Sequence, residues 1–305
     1  MKAIGINHYG SIDNLELFDI PLDPLGPTDV LIDVKAISIN PFDTKQRSGA
    51  YPGHPNKNRP LILGIDMAGI VSQVGESVTH FRVGDLVTGR QKASAQGTYR
   101  EQIVISQDLL VQVPDNVMLE SAAALLAAGE AAYHALFTHG NLEAGQKVLI
   151  HGGAGGVGHL AIQLAKLKGA HVATTSSHEH HDFLKKLGAD VVIDYRSQDF
   201  RKLVHDIDLV VDTVGGETQQ RSLEVLSPTG KIESLVGSID EQDSRIHYFS
   251  AGFTTDSLRE MLELMAAGKL SIQIRYLKPF TLENVKEAHR KLESKHGQGK
   301  IVLTL

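Results

Sequence analysis

The sequence predicts an α/β protein in which a doubly wound parallel sheet is joined to a β-rich domain. Before residue 119, short apolar runs are separated by clusters of Gly, Pro, Asn and Asp, a pattern typical of strands and turns. From residue 147 onward, apolar strands alternate with amphipathic helices. That alternation indicates βαβ units, and therefore a parallel sheet with helices on both faces.

The amino-terminal part is predicted to consist mainly of strands. These strands are expected at 1–7, 15–20, 30–39, 67–75, 100–105 and 109–114. The stretch SINPFDTKQRSGAYPG, residues 38–53, is rich in turn-forming residues and is predicted to be a turn. An Ala- and Leu-rich helix is then predicted at 119–137, although Gly129 interrupts it.

The second part is predicted to alternate regularly between strands and helices. Strands are expected at 147–152, 171–176, 190–194, 208–215 and 231–237, and helices at 159–169, 180–188, 219–227 and 256–270. Pro228 and Gly230 are expected to end the helix at 219–227. The chain continues with an apolar run at 272–280, a helix at 282–294 and a final strand at 299–305 that could return to the β-rich domain.

Length and composition narrow the classes of function. With 305 residues the chain is long enough for two domains. Its net charge of -6 argues against a nucleic-acid partner, whose binding surface would be basic. No apolar stretch approaches the roughly 18 residues of a membrane span, and the amino terminus does not resemble a secretory signal, so a cytoplasmic protein is expected. The absence of cysteine excludes disulfides, thiolate catalysis and cysteine-based zinc sites.

A glycine-rich loop carries the strongest functional motif. Residues 153–158, GAGGVG, fit the pattern GxGxxG between a predicted strand and a predicted helix. Glycine there permits a tight turn, close approach of a pyrophosphate to the backbone, and close packing of helix on strand. A purely structural glycine-rich turn is the alternative, but the strand–loop–helix context makes it the weaker one. The motif therefore predicts a Rossmann domain that binds a dinucleotide.

The next strand favours NADP over NAD. NAD sites usually carry an acidic residue roughly 20 residues after the loop, whereas residues 174–177 here read TTSS. The hydroxyl of Ser176 could donate to a 2′-phosphate, and His180 and Tyr195 could lie beside the same group. Ser176 could equally cap the following helix, because it forms a capping box with Glu179. The run HEHH lacks metal-ligand spacing and is interpreted as a solvated helix start.

Several motifs resemble one known family in the expected order. They are INPFDTKQRSGAYP, GIDMAGIVSQVGESVTHFRVGDLV, GTYREQIVI, HGGAGGVGHLAIQLAKLKGA, IDYR, DTVGG and GKIVLTL. Together they resemble the zinc-independent, zeta-crystallin-like quinone oxidoreductase group of the medium-chain dehydrogenase/reductase superfamily. The resemblance implies a GroES-like catalytic domain at 1–120, completed by 270–305, and a Rossmann NADP-binding domain at 121–269.

The resemblance implies catalytic roles for residues in the turn predicted at 38–53. Asn40, Pro41 and Phe42 would line the nicotinamide end of the cleft, with Asn40 hydrogen-bonded to the nicotinamide ribose or the substrate oxygen. Asp43 would anchor the turn. Tyr51 would polarise or protonate the developing oxyanion, because its phenol keeps its proton at neutral pH. An aromatic residue simply packed in a loop is an equally weighted alternative for Tyr51.

The remaining cofactor contacts are also implied by the resemblance. They are Gly155, Gly156 and Val157 at the pyrophosphate; Ser176, His180 and Tyr195 at the adenosine phosphate; Thr213 at the adenine ribose; Val236, Gly237 and Ser238 at the nicotinamide; and Lys300, a basic residue that can reach the cofactor. Two departures are visible. The helix entering the Rossmann domain lacks the Thr that many relatives have within Gly-x-Thr-Ala, and the basic residue at the 2′-phosphate is at best His180.

The resemblance implies an enzyme without zinc. The zinc branch has Cys where this chain has Asn40, and His-Glu where it has Ile65-Asp66, so no metal site is expected. The implied activity is NADPH-dependent reduction of quinones by hydride transfer. Reduction of an α,β-unsaturated aldehyde or ketone is the alternative in the same cleft, and a nucleotide-binding protein with little catalysis is the alternative from another class. A homodimer paired through 246–250 is expected.

Overall fold

The fold is described from a computed structural model over residues 1–51, 59–91, 96–250, 252–294 and 297–305. The amino-terminal part contains β1 (Lys2–Ile6), β2 (Leu15–Asp19), β3 (Asp29–Ile39), α1 (Pro41–Ser48), β4 (Leu61–Ile62), β5 (Asp66–Val74), β6 (Leu86–Arg90), β7 (Gln102–Ser106) and β8 (Leu110–Gln112). The long helix α2 (Leu119–Tyr133) follows and continues into a π-helical turn at His134–Thr138.

The rest of the chain alternates between strands and helices before returning to the β-rich part. It contains β9 (Lys147–His151), α3 (Gly158–Leu167), β10 (His171–Ser176), α4 (His181–Lys186), β11 (Val191–Asp194), β12 (Ile207–Asp212), α5 (Glu217–Ser222), β13 (Leu226–Ser234), β14 (Ile246–Tyr248), α6 (Thr255–Ala266), β15 (Ile274–Pro279), α7 (Leu282–Glu293) and β16 (Lys300–Thr304).

The parallel sheet has the predicted doubly wound topology. Within the described residues its strand order is β11-β10-β9-β12-β13-β14, and every pairing in it is parallel. The order reverses between β9 and β12, and in such sheets ligands bind at this switch point, outside the carboxyl ends of the strands. The glycine-rich loop follows β9 directly. The predicted fold class is therefore confirmed.

The β-rich part is built around β3. This strand pairs antiparallel with β5, with β7 and with the carboxyl-terminal strand β16. Since β16 pairs on its other side with β15, the last segment of the chain does return to the β-rich sheet. A smaller sheet with the order β2-β1-β4 lies beside it in the described structure.

Residues predicted as a turn after β3 instead form helix α1. Asn40 occupies the position before the helix with an extended backbone, Pro41 is the first helical residue, and Asp43 Oδ2 accepts the Asn40 N–H at 2.8 Å. These are favourable helix-start residues. Apolar periodicity missed the helix because its buried residues are polar, namely Asp43, Thr44, Gln46 and Arg47. Residues 52 and 53 of the predicted turn lie outside the described part of the chain.

The predicted helix at 219–227 is also shorter than expected. α5 ends at Ser222, a single 3-10 turn follows, and β13 has already begun at Leu226. Pro228 and Gly230 therefore lie inside a strand and do not end a helix. The register between β12 and β13 shifts there, from Ile207 opposite Leu226 to Leu209 opposite Lys231. Such an irregularity accommodates a residue that has no N–H to donate.

Strand β16 contributes to two hydrophobic cores. Its side chains alternate, so Ile301 and Leu303 pack in the core of the β-rich part, while Val302 packs in the core that contains α2 and the parallel sheet. All three side chains are at most 1% exposed. The strand therefore ties the two parts of the molecule together. None of the helices in the described ranges is long and apolar enough to cross a bilayer.

Shortening a β16 side chain should be costly. Leu303→Ala is expected to lower the free energy of unfolding by about 2–5 kcal/mol, because Leu303 is fully buried and leaves a cavity. Leu277→Ala on the adjacent strand β15 is the matched control, since Leu277 is 50% exposed and should change stability by about 0.5 kcal/mol or less. Urea unfolding of both variants measures the difference, and equal losses would contradict the burial of Leu303 in the core of the β-rich part.

Candidate active site

A buried polar cluster joins the start of α1 to strands β5 and β16. Asn40, 4% exposed, donates from Nδ2 to Asp66 Oδ2 at 2.7 Å. Its Oδ1 accepts from Lys300 Nζ at 2.6 Å. Because a carboxylate can only accept and an ammonium can only donate, the two partners fix which way the amide of Asn40 points.

Asp43 completes this cluster from inside α1. Its Oδ2 accepts from the Asn40 backbone N–H at 2.8 Å and from the Tyr99 hydroxyl at 2.9 Å. The Tyr99 hydroxyl is also 3.4 Å from Nε2 of the buried His289. Asp43 thus holds Asn40 at the helix start, as an anchoring residue would.

Burial dominates the electrostatics of the cluster. It raises the pKa of Asp43 to about 7, against the hydrogen bond from Asn40, and nearby Asp66 raises it further. Burial also raises the pKa of Asp66, although Lys300 opposes the shift. Burial lowers the pKa of Lys300, while Asp66 and Asp43 oppose it. Lys300 therefore favours the ionised forms of both buried carboxyl groups, and Arg90 adds to its effect on Asp66.

Lys300 also connects this cluster to the glycine-rich loop. A Cβ placed on Gly156 would lie 3.0 Å from Lys300 Cδ, and the Gly299 N–H donates to the Ala154 carbonyl at 2.8 Å. The Lys300 side chain runs from the loop to Asn40. Lys300 therefore contacts both a predicted pyrophosphate residue, Gly156, and a predicted nicotinamide residue, Asn40.

Inside the loop, glycine is required for close packing. A Cβ on Gly158 would lie 2.4 Å from the Gly152 carbonyl oxygen, which no side chain could tolerate.

A buried histidine that the motifs did not indicate holds the loop. His159 Nδ1 lies 2.7 Å from the Gly155 carbonyl oxygen, and its Nε2 accepts from the Gln273 N–H at 3.2 Å. Burial lowers its pKa to about 4, so the neutral ring donates from Nδ1 and fixes the loop.

At the predicted adenosine end, Ser176 and Tyr195 are brought together. Ser176 is the last residue of β10, and its carbonyl accepts the Tyr195 N–H at 3.2 Å. The exposed ring of Tyr195 lies 5.6 Å from Cζ of Arg196. Arg196, a cation that was not among the predicted site residues, is the last residue of the motif IDYR.

The predicted capping role of Ser176 is wrong. Its hydroxyl donates to the Ser177 carbonyl at 3.0 Å, and the helical turn starts only at His178, with Ser177 before it. The Ser177 hydroxyl donates to Glu179 at 2.9 Å. His180 pairs through Nδ1 with Gln298 at 3.1 Å, so this side chain is held next to the carboxyl-terminal segment.

Two turns that follow β12 and β13 carry the other predicted residues. Thr213 donates from Oγ1 to the His151 carbonyl at 2.8 Å, close to the glycine-rich loop. The Gly237 carbonyl, between the predicted Val236 and Ser238, accepts from Gln219 at 2.9 Å. Ser238 donates to the Asp240 carbonyl at 2.8 Å.

A buried carboxylate orders both of these turns. Asp212 accepts the N–H groups of Val214 and Gly215 at 2.9 and 2.8 Å through Oδ1, and the side chains of Gln219 and Ser234 at 2.7 and 3.0 Å through Oδ2. Asp212 was not among the predicted site residues. Its only distinguishing sequence feature is that it begins the motif DTVGG at the end of a predicted strand.

Tyr51 lies after α1 with a partly exposed ring. The ring stacks on Phe42, with centroids 6.0 Å apart and an interplanar angle of 18°. Lys45 Nζ lies 5.1 Å from the ring centroid. Tyr51 is thus packed on one face and still 41% exposed.

Comparison with known proteins supports the similarity read from the motifs. Residues 26–115 match the family model "Alcohol dehydrogenase GroES-like domain", and residues 187–303 match "Zinc-binding dehydrogenase". A tomato (Solanum lycopersicum) 2-methylene-furan-3-one reductase is 34% identical over 99% of this chain and 79% of its own.

Solved structures agree over the full length. The quinone oxidoreductase from Coxiella burnetii is 35% identical, with a TM-score of 0.92 over 100% of this chain and 99% of its own. The Escherichia coli quinone oxidoreductase complexed with NADPH is 28% identical, with a TM-score of 0.88 over 100% of both chains. The protein is an oxidoreductase, and it belongs, as its motifs predicted, to the quinone oxidoreductase group of the medium-chain dehydrogenase/reductase superfamily.

Proposed function

We propose that the protein reduces quinones by hydride transfer from NADPH without a catalytic metal. The observation that carries the proposal is the Lys300 side chain, which spans from Gly156 in the dinucleotide loop to the buried amide of Asn40. A cofactor with its pyrophosphate at the loop would have its nicotinamide near Asn40. The similarity to a quinone oxidoreductase complexed with NADPH supports this arrangement.

Each predicted site residue has a defined task in this proposal. Bound NADPH would supply the hydride. The backbone at Gly155, Gly156 and Val157 would hold the pyrophosphate at the start of α3. Pro41 and Phe42, together with the 236–238 turn, would border the nicotinamide. Thr213 would border the adenine ribose.

The polar groups at the reacting end would orient and protonate the substrate. Asn40 Nδ2 already donates to Asp66 and, at 3.3 Å, to the Ser38 carbonyl, so Oδ1 is the atom that would accept a hydroxyl of the nicotinamide ribose without reorganisation. The Tyr51 phenol would donate the proton that the reduced oxygen requires.

We propose a preference for NADP(H) from the residues at the end of β10. No acidic residue ends that strand, and Ser176, His180 and Tyr195 surround the predicted adenosine site. Arg196 adds a cation beside Tyr195. A guanidinium can form two parallel hydrogen bonds with a phosphate, so it would favour a 2′-phosphate.

The residues at the position of the catalytic zinc do not fit a zinc ion. The chain has no cysteine, and Asn40 and Asp66 stand where the zinc branch has metal ligands. The Asn40 carbonyl oxygen already accepts from Lys300, whose charge would repel a cation. Zinc prefers sulfur and imidazole ligands, neither of which is present there.

Reduction of an enone is the second candidate. The tomato relative is named for 2-methylene-furan-3-one, a compound in which a carbon–carbon double bond is conjugated with a ketone. The same cleft could deliver a hydride to the β-carbon of such a substrate and a proton from Tyr51.

A cytoplasmic location stays a prediction, and cell fractionation that places the protein with membranes would contradict it.

The first test compares cofactors and acceptors. NADPH should be consumed only when an acceptor is present, and much faster than NADH, with a small quinone turned over faster than a simple enone. Nicotinamide absorbance follows the reaction, and a metal chelator should leave the rate unchanged. A faster enone reaction would favour the second candidate. Tight binding of NADPH without turnover of either acceptor would leave only nucleotide binding.

Two variants separate the ends of the cofactor site. Arg196→Met should raise the KM for NADPH roughly 10-fold or more and leave that for NADH unchanged, because only the 2′-phosphate loses a charged partner. Lys300→Met, with the same replacement residue, should raise both KM values by a similar factor. An equal effect of Arg196→Met on the two cofactors would contradict its assignment to the 2′-phosphate.

The buried charges predict how stability changes with pH. Since burial raises the pKa of Asp43 to about 7, the folded protein holds this proton more tightly than the unfolded chain. The associated stability is present below about pH 4 and is lost as the pH rises through about 7, at up to about 1.4 kcal/mol per pH unit. Urea unfolding from about pH 4 to 8 should show a steeper decline for the wild type than for Asp43→Asn. Equal slopes would show that folding does not raise the pKa of Asp43.

We propose a homodimer formed through the edge of the parallel sheet. In the described structure β14 is the last strand on its side, so its outer backbone groups are open to pairing. Light scattering should give twice the mass of one chain. A monomer at all concentrations tested would reject this assembly.

A further inference from the structure

We propose that His151 is a positioning residue for the glycine-rich loop, and that it acts through the Thr175 hydroxyl on Gly152, the residue that enters the loop. Neither His151 nor Thr175 was among the predicted site residues. The inference rests on the proposed function and deepens it, because it concerns how the loop that would receive the pyrophosphate of NADPH is held. Neither side chain would itself touch the cofactor.

Both residues lie at the carboxyl ends of neighbouring strands in the parallel sheet. His151 is the last residue of β9, and its Cα lies opposite that of Thr175 in β10. Only Gly152 separates His151 from the glycine-rich loop. His151 is fully buried and Thr175 is 5% exposed. Because buried polar atoms need hydrogen-bond partners within the protein, their directions can be assigned one after another.

A neighbouring helix determines which ring nitrogen of His151 carries the proton. In α5 the Ser222 hydroxyl donates to the Thr218 carbonyl at 2.7 Å. Because a hydroxyl has a single proton, Ser222 Oγ has to accept from His151 Nε2, which lies 2.9 Å away. Burial lowers the pKa of His151, so the ring is neutral and its Nδ1 is left as an acceptor.

The same reasoning fixes the direction of the Thr175 hydroxyl. Its Oγ1 lies 3.0 Å from His151 Nδ1, and since this nitrogen carries no proton, Thr175 is the donor. A lone pair of Oγ1 then accepts the Gly152 N–H at 3.4 Å, and the Thr175 carbonyl accepts the Gly153 N–H at 3.0 Å. Two successive N–H groups at the loop entrance are therefore bonded to one residue, whose hydroxyl is oriented by His151.

The loop entrance sets where the amides of the pyrophosphate site lie. Gly152 has a φ of 71°, and its carbonyl accepts the Gly155 N–H at 2.9 Å. A rotation of the Gly152 peptide would therefore displace the backbone at 155–157, which would hold the pyrophosphate. The His151 ring is fixed in turn by Phe200, whose ring lies 5.0 Å away between centroids at an interplanar angle of 68°.

Two substitutions of His151 separate its ring nitrogens. Asn places an oxygen near the position of Nδ1 and can still accept from Thr175, whereas Gln reaches the position of Nε2 and leaves Thr175 without an acceptor. His151→Gln should therefore raise the Kd for NADPH roughly 5- to 20-fold, while His151→Asn should change it less than about 2-fold. The Kd for NADH should rise by the same factor, because both cofactors carry the pyrophosphate. Nicotinamide fluorescence measures the binding without an acceptor.

Thr175→Val tests the other end of the bond. It replaces the hydroxyl by a methyl group of similar shape, so it should raise both Kd values by about the same factor as His151→Gln does. The two substitutions together should have no larger effect than either one alone. Val204→Ala is the control for a general loss of stability, because Val204 is buried in the same core as Phe200. It should lower the free energy of unfolding and leave both Kd values unchanged.

Nitrogen NMR of the imidazole rings reports the tautomer in the free protein. The ring signals that disappear in His151→Gln should be those of a neutral imidazole with its proton on Nε2. A proton on Nδ1 would mean that His151 donates to Thr175, and it would overturn the proposed orientation of the hydroxyl.

The binding measurements decide between the remaining outcomes. Equal changes of Kd in His151→Gln and His151→Asn, or an unchanged Kd in Thr175→Val, would overturn the positioning role. If the variants lose affinity for NADPH as expected but the wild type reduces neither quinones nor enones, the proposed reductase function fails while the positioning role stands.

Discussion

The buried ammonium of Lys300 is the interaction on which the site depends. It donates to Asn40, compensates the charge of Asp66 and Asp43, and packs against Gly156 of the dinucleotide loop. A buried charge is tolerated only when it is paired and hydrogen-bonded, and removal of one partner leaves the others uncompensated. Lys300 and Asp66 together fix the orientation of Asn40, and in the proposed function the Lys300 side chain would couple the two ends of the cofactor site.

The same residue explains why this cleft differs from that of the zinc-binding relatives. Where a metal would concentrate positive charge between sulfur and imidazole ligands, this chain places an amide, a carboxylate and an ammonium that satisfy one another. In the proposed function, such an arrangement would not deprotonate an alcohol as zinc-bound chemistry does. The proposed quinone and enone substrates have an already electrophilic conjugated carbonyl, whose reduction would need no such metal.

Local patterns predicted most of the fold and only part of the site. Apolar strands and amphipathic helices predicted the parallel sheet, and the glycine spacing predicted the loop, because both depend on neighbouring residues. Helix α1 was missed because the side chains that it buries are polar. Contacts between distant residues could not be predicted: Lys300 is 260 positions from Asn40. Asp212 and His159 were missed for a related reason, because each acts by holding backbone groups of turns whose folded shape the sequence does not give.

The alternation of β16 between two cores has a consequence for accuracy of folding. If this strand slipped by one residue against β3, Ile301 and Leu303 would leave the core of the β-rich part while Val302 entered it, and both cores would be mispacked at once. A shifted register would therefore lower the stability of both cores. Lys300 is the first residue of that strand. Packing of the strand in two cores therefore fixes the position of Lys300 along β3 more strictly than packing in one core would.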